Sequence, residues 1–268
     1  MSEMQKIETF KKTIKLFAKN GLRDLPWRRT LNPYHIAVSE IMLQQTQVPR
    51  VIEKYKEFLK KFPSIKALAT SPLASVLSLW SGLGYNRRAQ YLHKMAKTIM
   101  QKHAGKFPTT IEALEHLPGI GPYTARAIAA FAYNTPSVFI ETNIRTVFIH
   151  HFFADKEIIS DAELIPIISA TLDRKNPRQW YWLLMDYGTH LKASGIRTHR
   201  RSKQYIKQST FKGSRRQLRG KILKLLLEKP NTLAGIQKQI EHADTESILE
   251  DLVFEGFVTK SKKTYTIA

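Results

Sequence analysis

The segment 117–132, with the sequence LPGIGPYTARAIAAFA, constrains the fold of this chain more than any other. It predicts a helix, a tight turn through Gly119 and Gly121, and a second helix that resumes at Pro122. Because glycine adopts positive φ without steric penalty, both glycines are expected to shape the turn. Such a turn offers the first N–H groups of the second helix to a phosphate. An ordinary helical hairpin that binds nothing is the alternative.

Charge favours nucleic acid as the partner of this chain. The 268 residues carry 43 Lys and Arg against 22 Asp and Glu, which gives a net charge of +21. A folded chain this basic usually meets a polyanion, with nucleic acid first and an anionic membrane surface second. The densest stretch, 194–220, holds nine Lys and Arg and no acid. Within it we expect Arg200, Arg201 and Lys203 to contact DNA, and a solvated surface is the alternative.

Several classes of protein are excluded by what the sequence lacks. The chain contains no cysteine, so disulfides, thiol nucleophiles and cysteine-ligated metal sites are ruled out. No apolar run reaches the roughly 20 residues of a membrane span. The N-terminal MSEMQKIETF does not follow the pattern of a secretory signal. We therefore expect a cytoplasmic protein associated with the nucleoid.

Helical periodicity runs through most of the chain, so the fold class is predicted as all-α. The helices are expected at 4–19, 34–45, 48–61, 72–80, 86–103, 111–116, 122–133, 143–153, 161–173, 177–193, 215–228, 233–241 and 246–255. An alternating pattern at the C-terminus predicts a small hairpin. The last three helices and this hairpin indicate a winged-helix-like domain at 215–268. It follows a main domain at 1–210 that contains the helical hairpin 111–133.

The last predicted helix of the tail, 246–255, is rich in acid. In a winged helix this element would enter a DNA groove, where carboxylates are repelled by phosphate. The tail is therefore predicted to pack against the main domain or to bind a protein partner rather than to read DNA sequence. The four acids concerned are Glu246, Glu250, Asp251 and Glu255.

Two glutamates lie in apolar surroundings. Glu40 sits in IAVSEIMLQQTQV, and Glu141 sits in SVFIETNIRTVFIHHFF where an extended segment enters a helix. Burying a lone acid is unfavourable unless it is paired or used, and burial raises its pKa, which suits a proton donor. The alternatives are a Glu40 that caps a neighbouring helix and a Glu141 that stabilises the first turn of its own.

Two such acids with a phosphate-holding hairpin between them predict acid-assisted cleavage of a nucleotide glycosidic bond. One carboxylate stabilises the positive charge that develops on the sugar, and the other protonates the leaving base. Phosphodiester cleavage normally uses a metal held by several carboxylates, and the sequence shows no acid and histidine cluster with that spacing. Arg87 and Arg88 are expected to contact phosphates, with a solvated helix face as the alternative.

Six motifs, in this order, are similar to those of MutY-type adenine DNA glycosylases, which belong to the helix-hairpin-helix base-excision superfamily with endonuclease III. The resemblance covers roughly residues 20–192. It implies two helical lobes, double-stranded DNA in the cleft between them, and a target base flipped into that cleft. The motifs are LPWRR (25–29), SEIMLQQTQV (39–48), GLGYNRRA (82–89), GKFP (105–108), LPGIGPYTA (117–125) and MDYG (185–188).

The resemblance also implies roles for single residues. Glu40 matches the acid that protonates the target purine and positions water. Gln44 and Gln45 match glutamines that line the site and probe the duplex, and Tyr85 matches the aromatic residue that wedges into the base stack. Gly119 and Gly121 match the phosphate-holding turn.

Two positions near the second acid depart from the family or complete its site. Glu141 falls where the family has the Asp that stabilises the oxocarbenium ion, and Asn143 matches an Asn that helps to order that site. Tyr123, in the base pocket, stands where bifunctional relatives place a Schiff-base Lys. Because a phenol cannot form that imine, a monofunctional enzyme is expected.

The cofactor prediction is also negative. The cysteines of the family's iron–sulfur cluster map to Lys192, His199, Ser202 and Gln208, none of which can hold a [4Fe–4S] cluster. No cofactor is expected, and a monovalent cation at the hairpin turn is the remaining candidate. The family's C-terminal domain, which recognises oxidised guanine, is replaced by the winged-helix-like tail.

The function predicted is that of a monomeric, monofunctional DNA glycosylase of base-excision repair, with adenine as the favoured base. The same fold acting on uracil, on thymine mismatches or on hypoxanthine is one alternative. A non-catalytic binder of damaged DNA and an abasic-site lyase that uses another lysine are the others.

Overall fold

The structure is a computed structural model that describes residues 2–208 and 210–268. In these residues the chain is predominantly helical, which confirms the predicted fold class. The helices are α1 (Glu3–Ala18), α2 (Pro33–Leu43), α3 (Val48–Lys61), α4 (Ile65–Thr70), α5 (Leu73–Trp80), α6 (Arg87–Lys102), α7 (Ile111–Glu115), α8 (Pro122–Tyr133), α9 (Thr142–Phe152), α10 (Asp161–Thr171), α11 (Pro177–Ala193), α12 (Arg215–Glu228), α13 (Leu233–Gln239) and α14 (Thr245–Phe254). Short 3₁₀ helices occur at Pro26–Arg28 and Thr198–Arg201.

The chain folds into two compact units. Unit 1 comprises the chain up to Ala37 together with Thr109–His116 and Ile120–Lys207, and unit 2 comprises Val38–Pro108, Leu117–Gly119 and Gln208–Ala268. Each unit thus gathers segments that are far apart in the sequence. The predicted division into 1–210 and 215–268 is a different one and stays a prediction.

The core of unit 1 forms around helices α1, α9 and α11. Phe10 on α1 and Phe148 on α9 are buried, with ring centroids 5.1 Å apart. Tyr181 on α11 is also buried, and it donates a hydrogen bond of 2.7 Å from its hydroxyl to the carbonyl oxygen of Ser137. A buried tyrosine keeps its hydroxyl satisfied in this way. These side chains come from the beginning, middle and end of the unit.

The core of unit 2 includes helices α3, α5 and α6. Phe58 on α3 packs edge-on against Trp80 at the end of α5, with ring centroids 6.0 Å apart. Helix α4 packs against α6, and the sequence pattern did not predict it because the helix has only six residues. Its start is fixed by Ser64, whose hydroxyl accepts a hydrogen bond from the N–H of Ala67, and Leu68 is buried.

The tail of unit 2 contains the predicted helices and hairpin together with one strand that the sequence did not predict. Strand β1 (Asn231–Thr232) pairs with β3 (Thr264–Ile267), which pairs in turn with β2 (Val258–Ser261), and both pairings are antiparallel. The strand order is β1-β3-β2. The description as winged-helix-like stays a prediction. In the described residues no helix has the length and apolar character to cross a membrane.

Candidate functional site

Glu40 is buried, as the sequence predicted. It lies in α2 with only 6% of its surface exposed, between Ser39 and Ile41, which are exposed to 1% and 2%. Helix α2 begins with Pro33 at its first position, and the side chain of Asn32 accepts a hydrogen bond of 2.9 Å from the N–H of Tyr34. Because this helix is apolar on every face, it presents a single carboxyl group to the protein interior. A carboxyl group in such a place is a candidate proton donor.

Glu141 is the N-cap residue of α9, so the alternative considered from the sequence describes part of its role. One carboxylate oxygen accepts a hydrogen bond of 2.8 Å from the N–H of Ile144, and the other accepts one of 3.0 Å from the side-chain amide of Asn143. Burial raises the pKa of Glu141, and these hydrogen bonds and the charge of Lys192 lower it only part of the way. The carboxylate is therefore oriented by two donors while it remains poorly hydrated.

Asn143 is held in place by the glycine of the MDYG motif. A Cβ atom at Gly188 would lie 2.5 Å from the carbonyl oxygen of Asn143, which is far inside van der Waals contact. Glycine at this point of α11 lets the helix lie directly against the first turn of α9. Sequence reasoning assigned no role to Gly188, although a glycine in a helix interior is unfavourable and is a signal of close packing.

Asp186, the acid of the same motif, is a structural ion-pair residue. Its side chain is 3% exposed and accepts two hydrogen bonds of 2.8 Å from Arg28 and one of 2.5 Å from Arg23. Burial by itself raises the pKa of Asp186, but the hydrogen bonds and charges of Arg28 and Arg23 outweigh it, so the pKa is lowered. The pair joins the LPWRR and MDYG motifs within unit 1. The expectation that Asp186 is not the catalytic acid agrees with this arrangement, although it does not cap a helix.

Gln45 and Tyr85 both have left-handed backbone conformations, with φ of 54° and 49°. Such conformations are uncommon outside glycine and are held only where the surroundings enforce them, often at functional sites. Tyr85 follows Gly82 and Gly84, whose φ angles are also positive. Gln45 is exposed, whereas Gln44 and Tyr85 are half-buried. All three belong to unit 2, which brings together the residues that the resemblance assigns to probing the duplex.

Arg88 is placed differently from the prediction that it contacts phosphate. It is 9% exposed, and its guanidinium group holds the end of α2 against the loop before α6. Because its donors are directed at protein acceptors, Arg88 serves as the support for Gln45 and Tyr85 rather than as a phosphate contact. The acceptors, at 2.5–3.1 Å, are the carbonyl oxygens of Ile41, Met42, Gln44, Leu83 and Gly84 and the hydroxyl of Thr46.

Arg87 is on the surface, with 64% of its side chain exposed. It donates hydrogen bonds of 2.5 and 3.0 Å to Glu255, which also accepts bonds from Arg219. The hydrogen bond from Arg87 is the main reason that the pKa of Glu255 is lowered, and Arg219 adds to the effect against the opposing influence of burial. This acid of the tail therefore pairs with arginines of unit 2, as expected of a tail that packs against the rest of the protein.

The hairpin between α7 and α8 uses its two glycines differently. Gly119 has a φ of 78°, and a Cβ atom there would lie 2.5 Å from Cβ of Tyr91. Gly121 is the N-cap of α8 with an ordinary φ of −89°, so the expectation of a special conformation at both glycines is wrong for Gly121. Tyr123 packs edge-on against Phe139, with ring centroids 5.7 Å apart. The phosphate and the monovalent cation expected at this turn stay predictions.

Replacing Gly119 with Ala is expected to lower the free energy of unfolding by about 2–4 kcal/mol, because the new methyl group strains the backbone and overlaps Tyr91. Gly121→Ala is the matched control, since nothing lies within 4 Å of its Cβ position. That variant should lose less than about 1 kcal/mol, the difference between Gly and Ala at an N-cap. Urea denaturation of both proteins measures the difference. Equal losses would contradict the close approach at Gly119.

The segment where relatives hold an iron–sulfur cluster is closed by polar contacts in unit 1. The hydroxyl of Thr198 donates a hydrogen bond of 2.7 Å to the carbonyl oxygen of Thr146, and Nδ1 of His199 lies 3.3 Å from the Thr146 hydroxyl. Ser202 is buried and forms a bridge with Ile159. These donors include no thiolate, so the residues present do not fit a [4Fe–4S] cluster. The chain folds this segment by other means.

The three basic residues predicted to contact DNA in this segment have different surroundings. Arg200 and Lys203 are exposed. Arg201 donates to the carbonyl oxygens of Phe153, Ala154 and Lys156, beyond the end of α9. Its guanidinium group thereby satisfies carbonyls that the helix leaves without intrahelical partners. Arg200 and Lys203 remain predicted contacts, whereas Arg201 is engaged in holding the loop.

The sequence profile described as HhH-GPD superfamily base excision DNA repair protein matches residues 38–166. A protein of Mycolicibacterium smegmatis named adenine DNA glycosylase is 31% identical over 266 residues, which cover 89% of this chain and 89% of that protein. The chain belongs to the HhH-GPD superfamily of base excision DNA repair proteins. The resemblance stated from the motifs is thereby confirmed.

Two further relatives of this superfamily member carry the same name, adenine DNA glycosylase. The protein of Buchnera aphidicola subsp. Baizongia pistaciae is 48% identical over 132 residues, which cover 49% of this chain and 38% of that protein. The protein of Mycobacterium tuberculosis is 46% identical over 126 residues, which cover 47% of this chain and 41% of that protein. The matched part is therefore less than half the length of these two relatives.

Solved structures show the same fold. The structure of a thermostable thymine-DNA glycosylase is 26% identical, with a TM-score of 0.62 over 69% of this chain and 86% of that one. A trapped covalent intermediate of endonuclease III with DNA is 17% identical, with a TM-score of 0.60 over 71% of this chain and 88% of that one. The helix-hairpin-helix glycosylase fold inferred from the motifs is confirmed by both.

Proposed function

We propose that this protein is a DNA N-glycosylase that releases adenine from double-stranded DNA in base-excision repair. The observation that carries the proposal is the buried carboxyl group of Glu40 on a helix that is otherwise apolar. Relatives named adenine DNA glycosylase, one of which matches 89% of the chain, support the choice of base. The net charge of +21 supports a polyanionic substrate. Such a substrate implies an association with the nucleoid, and a monomer is sufficient for the reaction.

In the proposed reaction Glu40 protonates the leaving base. The bond between the sugar and the base breaks, the electron pair leaves with the base, and positive charge develops on the sugar. Glu141, as a carboxylate held by Asn143 and the N–H of Ile144, stabilises that charge. A water molecule oriented by Glu40 then adds to the sugar and gives up a proton, which leaves an abasic site. That both glutamates act on one nucleotide is part of the proposal.

The proposed enzyme is monofunctional. Tyr123 stands where bifunctional relatives place a lysine, and a phenol cannot form a Schiff base with the sugar. Lys192 is the lysine that tests this statement, because burial lowers its pKa and the negative charge of Glu141 raises it only in part. We expect no protein–DNA adduct when the reaction is treated with borohydride. A trapped adduct that disappears in Lys192→Ala would show lyase activity and contradict the proposal.

A panel of duplexes, each with one target base, tests the choice of substrate. We expect release of adenine from a mispaired position, detected as alkali-labile cleavage of the labelled strand, at a rate at least about tenfold above that for any pyrimidine. A thymine or uracil mismatch is the second candidate, because a thymine-DNA glycosylase shares the fold at 26% identity. Hypoxanthine completes the panel. Release of pyrimidines alone would rule out the adenine assignment.

A further inference from the structure

A groove in unit 2 lies between the loop Gly82–Arg87 and helix α12, with a volume of about 1190 Å³. Its walls are strongly cationic. Eight of the ten charged side chains that line it belong to Lys or Arg, and the two acids are Asp251 and Glu255. A concave surface with this balance of charge attracts a polyanion.

The groove also contains the residues that are expected to probe the duplex. Gln45 and Tyr85 line it, and the C-terminal segment contacts both. The side-chain amide of Gln208 donates hydrogen bonds of 3.0 Å to the amide oxygen of Gln45 and 3.4 Å to the hydroxyl of Tyr85. The guanidinium group of Arg216 lies 5.2 Å from the centre of the Tyr85 ring and donates to its hydroxyl. The tail thus contributes side chains to the surroundings of the left-handed Tyr85.

The two acids of the groove pair with arginines that a phosphate would also bind. Glu255 accepts two hydrogen bonds each from Arg87 and Arg219, and Asp251 accepts one of 2.8 Å from Arg215. Paired hydrogen bonds from one guanidinium group to two oxygens are the geometry by which arginine recognises carboxylate and phosphate alike. The carboxylates therefore occupy the place of phosphate groups in the protein without DNA.

We infer that this groove holds the phosphate backbone of a DNA strand beside Tyr85, so that the C-terminal segment is part of the DNA-binding surface. The inference rests on the proposed function for the identity of the polyanion. Asp251 and Glu255 act as internal counter-ions that the phosphates replace. Lys221 and Lys224, which are exposed on α12 and line the groove, contact the strand directly. The role goes beyond the packing or protein binding predicted for the tail.

The first test removes two groove lysines. Lys221→Ala with Lys224→Ala is expected to weaken the binding of a short duplex about tenfold at physiological salt. It should also reduce the slope of log affinity against log salt concentration by about 2, one for each phosphate contact. The matched control is Lys229→Ala with Lys238→Ala, which removes the same charge from exposed tail positions outside the groove. Fluorescence anisotropy of a labelled duplex measures both variants, and equal losses would overturn the inference.

The second test changes affinity in the opposite direction. Glu255→Gln leaves Arg87 and Arg219 available to phosphate, and we expect it to tighten duplex binding by about threefold or more. Glu250→Gln is the control, because Glu250 is an exposed acid on the same helix and does not line the groove. Urea denaturation checks that both variants fold. Identical effects of the two substitutions would show long-range charge alone and contradict the inference.

Binding is measured without base release, so the two proposals fail separately. If no base is released from any duplex while the affinities follow the expected pattern, the proposed function is wrong and the groove is still a DNA site. If base is released but the groove variants bind DNA as the controls do, the groove inference is wrong. Loss of poly-glutamate binding in Lys221→Ala with Lys224→Ala, with unchanged DNA binding, would identify a protein-docking surface instead.

Discussion

Replacing Glu40 with Gln is expected to slow base release by about 1000-fold while the affinity for duplex DNA stays within about twofold of the wild-type value. The amide keeps the size and hydrogen-bonding shape of the carboxyl group but cannot donate a proton to the leaving base. Because Glu40 is 6% exposed among apolar neighbours, water cannot substitute for it readily. Single-turnover release of adenine from a labelled duplex measures the effect.

Glu53→Gln is the control for this substitution. Glu53 lies on α3 with 72% of its side chain exposed and pairs only at the surface, with Lys56. It removes the same charge from the same unit and should leave the rate unchanged. A Glu40→Gln protein with more than a tenth of the wild-type rate would exclude Glu40 as the proton donor. If wild-type protein releases no base and both glutamate variants keep full affinity, the protein is a binder of damaged DNA.

Replacing Glu141 with Gln is expected to lower the rate of base release by about 100-fold or more, because a neutral amide cannot stabilise the positive charge on the sugar. Its carbonyl oxygen still accepts from the N–H of Ile144, so the free energy of unfolding should fall by no more than about 1 kcal/mol. Glu141→Asp keeps the charge and restores the residue typical of the family. It should be at least about tenfold faster than Glu141→Gln. Equal rates for the two variants would show that the charge at this position is not used.

The pH dependence of the wild-type reaction follows from the same carboxylate. Burial raises the pKa of Glu141 above its ordinary value, and the reaction requires the ionised form. The rate is therefore expected to fall as the pH is lowered through this raised pKa, and the acid limb should be absent in Glu141→Gln. For stability, the folded state binds this proton more tightly than the unfolded state does. Stability consequently decreases as the pH rises from the unfolded pKa to the folded one.

Local patterns were sufficient for the elements of the fold. Each predicted helix is present in the described residues, because the apolar period and the end signals are properties of neighbouring residues. The burial of Glu40 followed in the same way, since α2 has no polar face. The short helix α4 and the two-residue strand β1 were missed because so few residues do not form a period. They depend on packing and on pairing with β3.

The environments of the arginines were not predictable in this way. Arg87 and Arg88 are adjacent and looked equivalent in the sequence, yet Arg88 is buried against six acceptors while Arg87 pairs with Glu255. Nothing within a few residues distinguishes them. The difference arises from which side of α6 faces the end of α2 and which faces the tail.

The sequence by itself determined the helical architecture, the superfamily and the two glutamates that carry the proposed chemistry, because those features are written in short stretches of chain. Only the tertiary structure decided how the motifs support one another. Arg28 and Asp186 are separated by 158 positions, and Arg87 and Glu255 by 168. Which charges meet across such separations depends on how helices pack, and that packing is set by the sum of many apolar contacts rather than by any one motif.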